Sequence, residues 1–152
     1  MQRAGEGDGN GIPPLHVLRR WLEHIEDGTL KLYLTTRLLR LRRDDGPALA
    51  TGSYLPLTAE GAHAERLIAF RRGHGMEARI VLAPRLTSGL GAGAPIGARW
   101  ADTRLEIDDE GVDGWRCLLS GVEVLAHDGS VAVSSALAAL PVAVLAPTKS
   151  LR

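Results

Sequence analysis

The feature that most constrains the fold is a change in apolar spacing about one third of the way along the chain. From residue 15 to residue 43, apolar residues recur every three or four positions, which is typical of amphipathic helices. After residue 46 they occur in short runs separated by Gly, Asp and Pro, the pattern of antiparallel strands joined by turns. Helices first and strands afterwards predict an α+β fold, with an N-terminal helical segment of two helices followed by an antiparallel β-sandwich-like C-terminal domain.

The sequence divides into three segments on this basis. Residues 1–12 are polar and rich in glycine, so we expect a disordered lead-in there. Residues 13–46 form the helical segment, with one helix at about 15–26 and a second from Thr29 to Arg43. Residues 50–147 form an antiparallel β-domain that we expect to fold independently. Its predicted elements are strands at Ser53–Leu57, Glu65–Arg71, Ala78–Ala83, Thr103–Ile107, Trp115–Leu119, Val122–Leu125, Val131–Val133 and Val142–Leu145, and one short helical turn within Ser135–Leu140.

The second helix is apolar on more than one side. One face carries Leu30, Tyr33, Leu34, Leu38 and Leu41. Leu32 and Leu39 point elsewhere, and a helix of this kind is usually packed between two partners. We therefore expect the isolated chain to self-associate or aggregate through helix 29–43.

Net charge, the length of apolar runs and the cysteine count together limit the partners and the location that we expect. Eighteen basic and eighteen acidic residues cancel, so the basic excess that accompanies nucleic-acid binding is absent and no nucleic-acid partner is expected. No run of eighteen apolar residues occurs, so no membrane partner is expected. A single cysteine, Cys117, makes no internal disulfide, and a cytoplasmic location is the expectation. A local excess of positive charge lies at Arg37, Arg40, Arg42 and Arg43. We interpret it as a solvated helix end; the alternative is a small phosphate-binding patch.

The run from Gly89 to Gly97 matches a loose dinucleotide fingerprint. Such a site needs a helix that begins at the loop, and Pro95 and Gly97 oppose one. We therefore interpret the run as a surface loop and expect no cofactor. The histidines have no zinc-site spacing, so we also expect no metal site; they are His16, His24, His63, His74 and His127.

No residue is predicted to be catalytic. The acidic run Asp108–Asp109–Glu110 is a solvated turn, because adjacent wet carboxylates lack the distinct pKa values that glycoside chemistry needs. Ser134 and Ser135 lack the setting of a nucleophile, and Cys117 lies in an apolar strand where a buried thiol is inert. Substrate-binding residues stay unknown.

Two tryptophans leave an alternative open. Trp100 and Trp115 flank predicted strands. Packing in the core is the favoured role for both side chains, and stacking against a sugar ring is the alternative. The alternative function is therefore a stand-alone carbohydrate-binding β-sandwich module.

Three stretches together resemble the C-terminal portion of maltooligosyltrehalose synthases, members of the α-amylase clan (glycoside hydrolase family 13). They are Asp27–Thr35 with Arg37–Arg43, then Gly52–Leu57 with Ala64–Arg71, and finally Trp100–Glu106 with Trp115–Gly121 and Leu140–Leu145. The resemblance covers about residues 15–147. Two positions depart from the usual pattern of the family: Ala101 stands where Gly is usual, and Cys117 where Asp is usual.

The resemblance implies a place in trehalose biosynthesis. The family is an isomerase, (1->4)-alpha-D-glucan 1-alpha-D-glucosylmutase, which converts the reducing-end linkage of a maltooligosaccharide to an α,α-1,1 linkage. Its catalytic Asp, Glu and Asp lie upstream on a barrel of about 250 residues, which this chain lacks. Segment 13–46 would be a remnant of the end of that barrel, and maltooligosaccharide would bind through the missing barrel. The resemblance therefore implies a C-terminal fragment that is catalytically silent alone; whether it should be called an enzyme stays open.

Overall fold

A computed structural model describes residues 9, 11–108 and 111–149. Its helices are α1 (Leu15–Glu23), α2 (Thr29–Asp44) and α3 (Val133–Ala136). Its strands are β1 (Tyr54–Pro56), β2 (Ala59–Glu60), β3 (Leu67–Arg72), β4 (Arg79–Pro84), β5 (Arg104–Glu106), β6 (Gly114–Cys117), β7 (Glu123–Leu125), β8 (Ser130–Ala132) and β9 (Ala143–Pro147). The predicted α+β fold is confirmed, with the long helices before the sheets.

The predicted elements differ from the observed ones in a few places. Each predicted strand overlaps an observed one, but the first residues of Glu65–Arg71 form a single 3-10 turn at Ala64–Arg66. Strand β2 was not predicted, because two residues carry no periodicity. The short turn α3 begins at Val133, ahead of the predicted range, and the last residues of that range are not helical.

The strands form two sheets, and every pairing among the described strands is antiparallel. One sheet has the order β1-β3-β4-β9-β6-β7 and the other β2-β5-β8. Alternate residues of β4 are buried, and Ile80 pairs with Leu145, which pairs with Cys117 on the far side. Leu105 and Val131, paired in the small sheet, are completely buried in the same core cluster. Side chains from both sheets thus share one apolar core.

The two long helices join that core rather than standing apart from it. Leu18 of α1 and Leu30 and Leu41 of α2 are buried in the cluster that includes the strand residues. At one end of α2 the Tyr33 hydroxyl donates to the Leu119 carbonyl at 2.7 Å. At the other end the Arg79 guanidinium donates to the Asp45 carboxylate at 2.8 Å. The helical segment is therefore fastened to the β-domain at both ends of α2.

The turn between α1 and α2 has a clear local cause. Gly28 has a φ of 80°, a left-handed conformation that glycine adopts without steric cost. The Asp27 carboxylate accepts a hydrogen bond from the backbone N–H of Thr29 at 2.7 Å. That bond satisfies one of the free donors at the start of α2 and lowers the pKa of Asp27.

The predicted lead-in lies mostly outside the described residues, since only Gly9, Gly11 and Ile12 of that range are described. Ile12 is 4% exposed and its side chain lies beside Gly121, so contact with the β-domain begins before the first helix. The independent folding of residues 50–147 stays a prediction. No described helix is both long enough and apolar enough to cross a membrane.

Candidate functional site

The glycine-rich loop is filled by arginine side chains. The Arg66 guanidinium lies where a Cβ on Gly89 would be, and Arg66 Nη1 donates to the Leu86 carbonyl at 2.7 Å. The Arg99 guanidinium lies beside Gly91, and its Nη1 donates to the Leu90 carbonyl at 3.2 Å. The glycines thus make room for side chains of this chain, and the loop leads into a 3-10 turn rather than a helix. A pyrophosphate has neither the space nor the helix N-terminus that it requires.

A serine–histidine pair that the sequence reasoning missed lies beside the large sheet. Ser53 Oγ is 2.8 Å from His74 Nε2 because β1 and β3 pair and bring their ends together. The other ring nitrogen of His74 faces the Arg71 guanidinium, with Nη2 3.5 Å from Nδ1. No sequence spacing signals this pair, which depends on strand register alone.

The neighbouring arginine makes the surroundings of His74 unlike those of a nucleophile pair. A guanidinium can only donate hydrogen bonds, so it cannot accept the Nδ1 proton of a catalytic histidine as a triad carboxylate does. A catalytic triad has a carboxylate at the place that Arg71 occupies. The pair therefore ties β1 to the β3 end and does not activate the serine.

Exposed carboxylates line an open groove of about 400 Å³ on the small sheet. They are Glu60, Glu106, Asp108 and Asp128. Arg104 also lines the groove, where its Nε donates to Ser130 Oγ at 2.9 Å. Asp109 and Glu110, the rest of the predicted acidic turn, lie outside the described residues. Within the described residues, no three His, Cys, Asp or Glu side chains are grouped as metal ligands would be.

Two carboxyls elsewhere in the chain, Asp27 and Asp44, lack the properties of a general acid. A general acid needs a raised pKa, which comes from burial or from a neighbouring negative charge. Asp27 and Asp44 have lowered pKa values instead, because Asp27 accepts the Thr29 N–H and Asp44 accepts from the Arg43 side chain. Both carboxyls are exposed to water. Ser134 and Ser135 lie on α3, and among the described residues neither has a hydrogen bond to a histidine.

The two tryptophans are core residues. Trp100 is completely buried and its indole N–H donates to the Pro95 carbonyl at 2.8 Å. Trp115 is 1% exposed, and its indole Nε1 has no hydrogen-bond partner among the described residues. Cys117 is also buried. The predicted core role of Trp115 and the predicted burial of Cys117 are confirmed, and neither tryptophan offers a face on which a sugar could stack.

Helix α2 has one covered face and one exposed face. Leu30 and Leu41 are buried, and Tyr33 and Leu34 pack against the core, as the apolar pattern predicted. Leu38 was placed on the same face but is 39% exposed, because it lies at the edge of the covered face rather than at its centre. The Arg37 Nε donates to the Leu118 carbonyl at 2.9 Å, so this arginine fastens the helix to the β-domain.

The opposite face of α2 is open. Leu32 is 69% exposed and Leu39 is 61% exposed, as the sequence pattern indicated. Arg40 and Arg42 are exposed as well, and neither forms a salt bridge among the residues that the structure describes, although the charge of Arg40 helps to lower the pKa of Asp44. Arg43 is paired with Asp44 at 2.9 Å. This face of α2 therefore combines exposed leucines with exposed positive charge.

Comparison with known proteins identifies what the chain is similar to. No protein-family profile matches it, and no curated protein sequence matches it significantly. Among solved structures, maltooligosyltrehalose synthase from Arthrobacter ramosus matches with a TM-score of 0.58 and 31% identity, over 94% of this chain and 18% of that chain. A single-substitution mutant of the same enzyme matches with a TM-score of 0.58 and 33% identity, over 88% of this chain and 17% of that chain.

The chain thus spans less than one fifth of the solved chains that it matches. The matched share of this chain is large enough to include both the helical segment and the sheets. The predicted resemblance is confirmed: over about nine-tenths of its length, this chain is similar in sequence and in fold to a portion of maltooligosyltrehalose synthase.

Proposed function

We propose that this chain is the C-terminal portion of a maltooligosyltrehalose synthase-like protein and that it supports the part that carries out the isomerisation. The observation that carries the proposal is the asymmetry of the match, which takes in 88–94% of this chain but 17–18% of the solved chains. A segment of that size, with its own core and one open helical face, suits a supporting role better than a catalytic one.

The chemistry of the whole protein is the conversion of a maltooligosaccharide to a product with an α,α-1,1 linkage, a step in trehalose biosynthesis by an isomerase. Glycoside chemistry of this kind uses two carboxyl groups held across the sugar, one of them with a raised pKa. The acidic side chains of the groove, including Glu106 and Asp108, are exposed to water. In this proposal the carboxylates that act on the sugar belong to the larger part of the protein, and the chain alone is catalytically silent.

A reducing-sugar assay tests the proposal directly. Maltoheptaose loses its reducing end on conversion, so the purified chain is expected to leave the number of reducing ends unchanged. The Arthrobacter ramosus enzyme under the same conditions is the positive control. A steady loss of reducing ends with the purified chain, reduced in Asp108→Asn but not in Asp102→Asn, would contradict the proposal, because it would place catalysis in the groove.

The stand-alone carbohydrate-binding module is the competing function, and isothermal titration with maltoheptaose separates the two. We expect no heat of binding, because Trp100 and Trp115 are buried. Saturable binding by the isolated chain would favour the module instead. A cytoplasmic setting belongs to the proposal as well, and the free, buried thiol of Cys117 is consistent with it.

A further inference from the structure

The open face of α2 has a regular arrangement. Leu32 and Leu39 are seven residues apart, so they lie almost in line along the helix, and Thr35 and Thr36 lie between them. These four residues form a narrow apolar strip, which we call the α2 ridge. Both leucines are more than 60% exposed, and no described part of the chain covers them.

Cations flank the α2 ridge on both sides. At 100° per residue, Arg40 lies on one side of the strip, and Lys31 and Arg42 lie on the other. All three are exposed and form no salt bridge within the described residues; Arg40 acts on the Asp44 carboxylate only from a distance. An apolar strip between two rows of exposed positive charge fits an apolar groove whose rims are acidic.

The charge argues against a second copy of this chain as the occupant. If two α2 ridges packed together, the basic rows of one helix would face the basic rows of the other. The helix holds five basic residues and one acidic residue, Asp44, which is already paired with Arg43. Like charges placed opposite each other disfavour association, so the occupant carries the opposite charge.

The comparisons indicate where such an occupant lies. In the solved synthases the matched portion is joined to more than four-fifths of a longer chain. The other faces of α2 are already in use, through Leu30, Leu41 and the hydrogen bonds of Tyr33 and Arg37. Resting on the function proposed above, we propose that the α2 ridge docks into an acidic-rimmed apolar groove on the larger, catalytic portion of a synthase-like protein.

A full-length hybrid tests this surface. In the hybrid, this chain replaces the matched portion of the Arthrobacter ramosus enzyme. We expect the unaltered hybrid to be active and to melt in one transition, because a buried interface couples the two parts. The double substitution Leu32→Glu with Leu39→Lys is expected to separate the melting into two transitions, the lower one at the midpoint of the isolated chain. Arg40→Glu with Arg42→Glu, which leaves the leucines intact, is expected to lower the melting midpoint of the hybrid at low salt; added salt should then raise the midpoint of this variant, because it screens the new repulsion from the acidic rims.

The controls separate this inference from the proposed function. Leu125→Glu places the same charge at an exposed leucine of β7 and is expected to leave the single transition intact. The isolated chain with Leu32→Glu and Leu39→Lys should melt like the unaltered chain, which shows that the ridge variant folds.

An unaltered hybrid that is inactive and melts in two transitions would count against the proposed function. An active hybrid whose single transition survives the ridge substitutions would overturn the docking surface alone. The docking proposal would also be overturned if the isolated chain formed a tight dimer at low salt and the ridge variant did not. A second copy of the chain would then be the occupant of the α2 ridge.

Discussion

A strained alanine next to a buried tryptophan provides a quantitative test of the backbone. Ala101 has φ 50° and ψ −126°, and the turn closes through a hydrogen bond from Thr103 N–H to the Trp100 carbonyl at 3.0 Å. These angles are those of the first central residue of a type II′ turn, a position that glycine dominates. Holding an alanine there costs roughly 1–3 kcal/mol.

We therefore predict that Ala101→Gly stabilises the protein. The gain is reduced by roughly 0.4–1 kcal/mol, because glycine has more freedom in the unfolded chain. A net gain of about 1 kcal/mol raises the melting midpoint by about 2–4 °C in a chain of this size. Calorimetry or circular dichroism on the two purified proteins measures the shift.

Ala98→Gly is the matched control, since it makes the same change three residues earlier in the preceding 3-10 turn. Ala98 is exposed and is not among the residues with positive φ, so there is no strain to relieve. This variant should lose roughly 0.5–1 kcal/mol. If both glycine variants lower the midpoint by similar amounts, the left-handed turn at Ala101 is not present in solution and the argument fails.

Three further predictions follow from the core, the charged groups and the open helix. Trp115→Phe should lower the free energy of unfolding in urea by about 1–2 kcal/mol less than Trp100→Phe does, because the Trp115 indole N–H has no hydrogen bond to lose. Equal losses would mean that a buried water accepts a hydrogen bond from the Trp115 indole. Asp27→Ala should lower the melting midpoint at pH 6 but not near ~pH 2, because a carboxyl whose pKa is lowered by folding stabilises only where it is ionised; a difference that persists in acid would exclude this linkage. The isolated chain should self-associate weakly through helix 29–43 at tens of micromolar, and more strongly as salt screens the flanking cations; light scattering that shows dissociation with added salt would contradict the role of those charges.

The sequence predicted those parts of the fold that depend on local pattern. The two helices, the run of short strands and the covered face of α2 all follow from apolar periodicity, which survives in a single chain. Strand β2 did not follow, because its two residues are defined by pairing with β5 across 40 or more residues of chain. Burial of Trp100 and Trp115 was predictable as a preference, since large aromatic side chains usually fill cores.

The contacts of individual side chains were not predictable in the same way. The glycine-rich loop is a surface feature, as predicted, but nothing in its sequence indicates that Arg66 fills the space at Gly89. Likewise, the contact of Ser53 with His74 depends on the register of β1 against β3, and register is set by the whole sheet. Leu38 was misplaced because a helical wheel gives the centre of a buried face more reliably than its edge.

The large sheet ends in two short strands, and this governs how the chain can meet other molecules. β1 and β7 each have three residues, and Pro56 in β1 has no N–H to offer. An incoming strand would gain few backbone hydrogen bonds at either margin, so growth of the sheet into a fibre is disfavoured. Contacts through α2 depend on side chains and leave the backbone pairing untouched. Because such contacts leave the strand pairing of both sheets as it is, we expect association through α2 to be reversed by dilution rather than to end in a fibre.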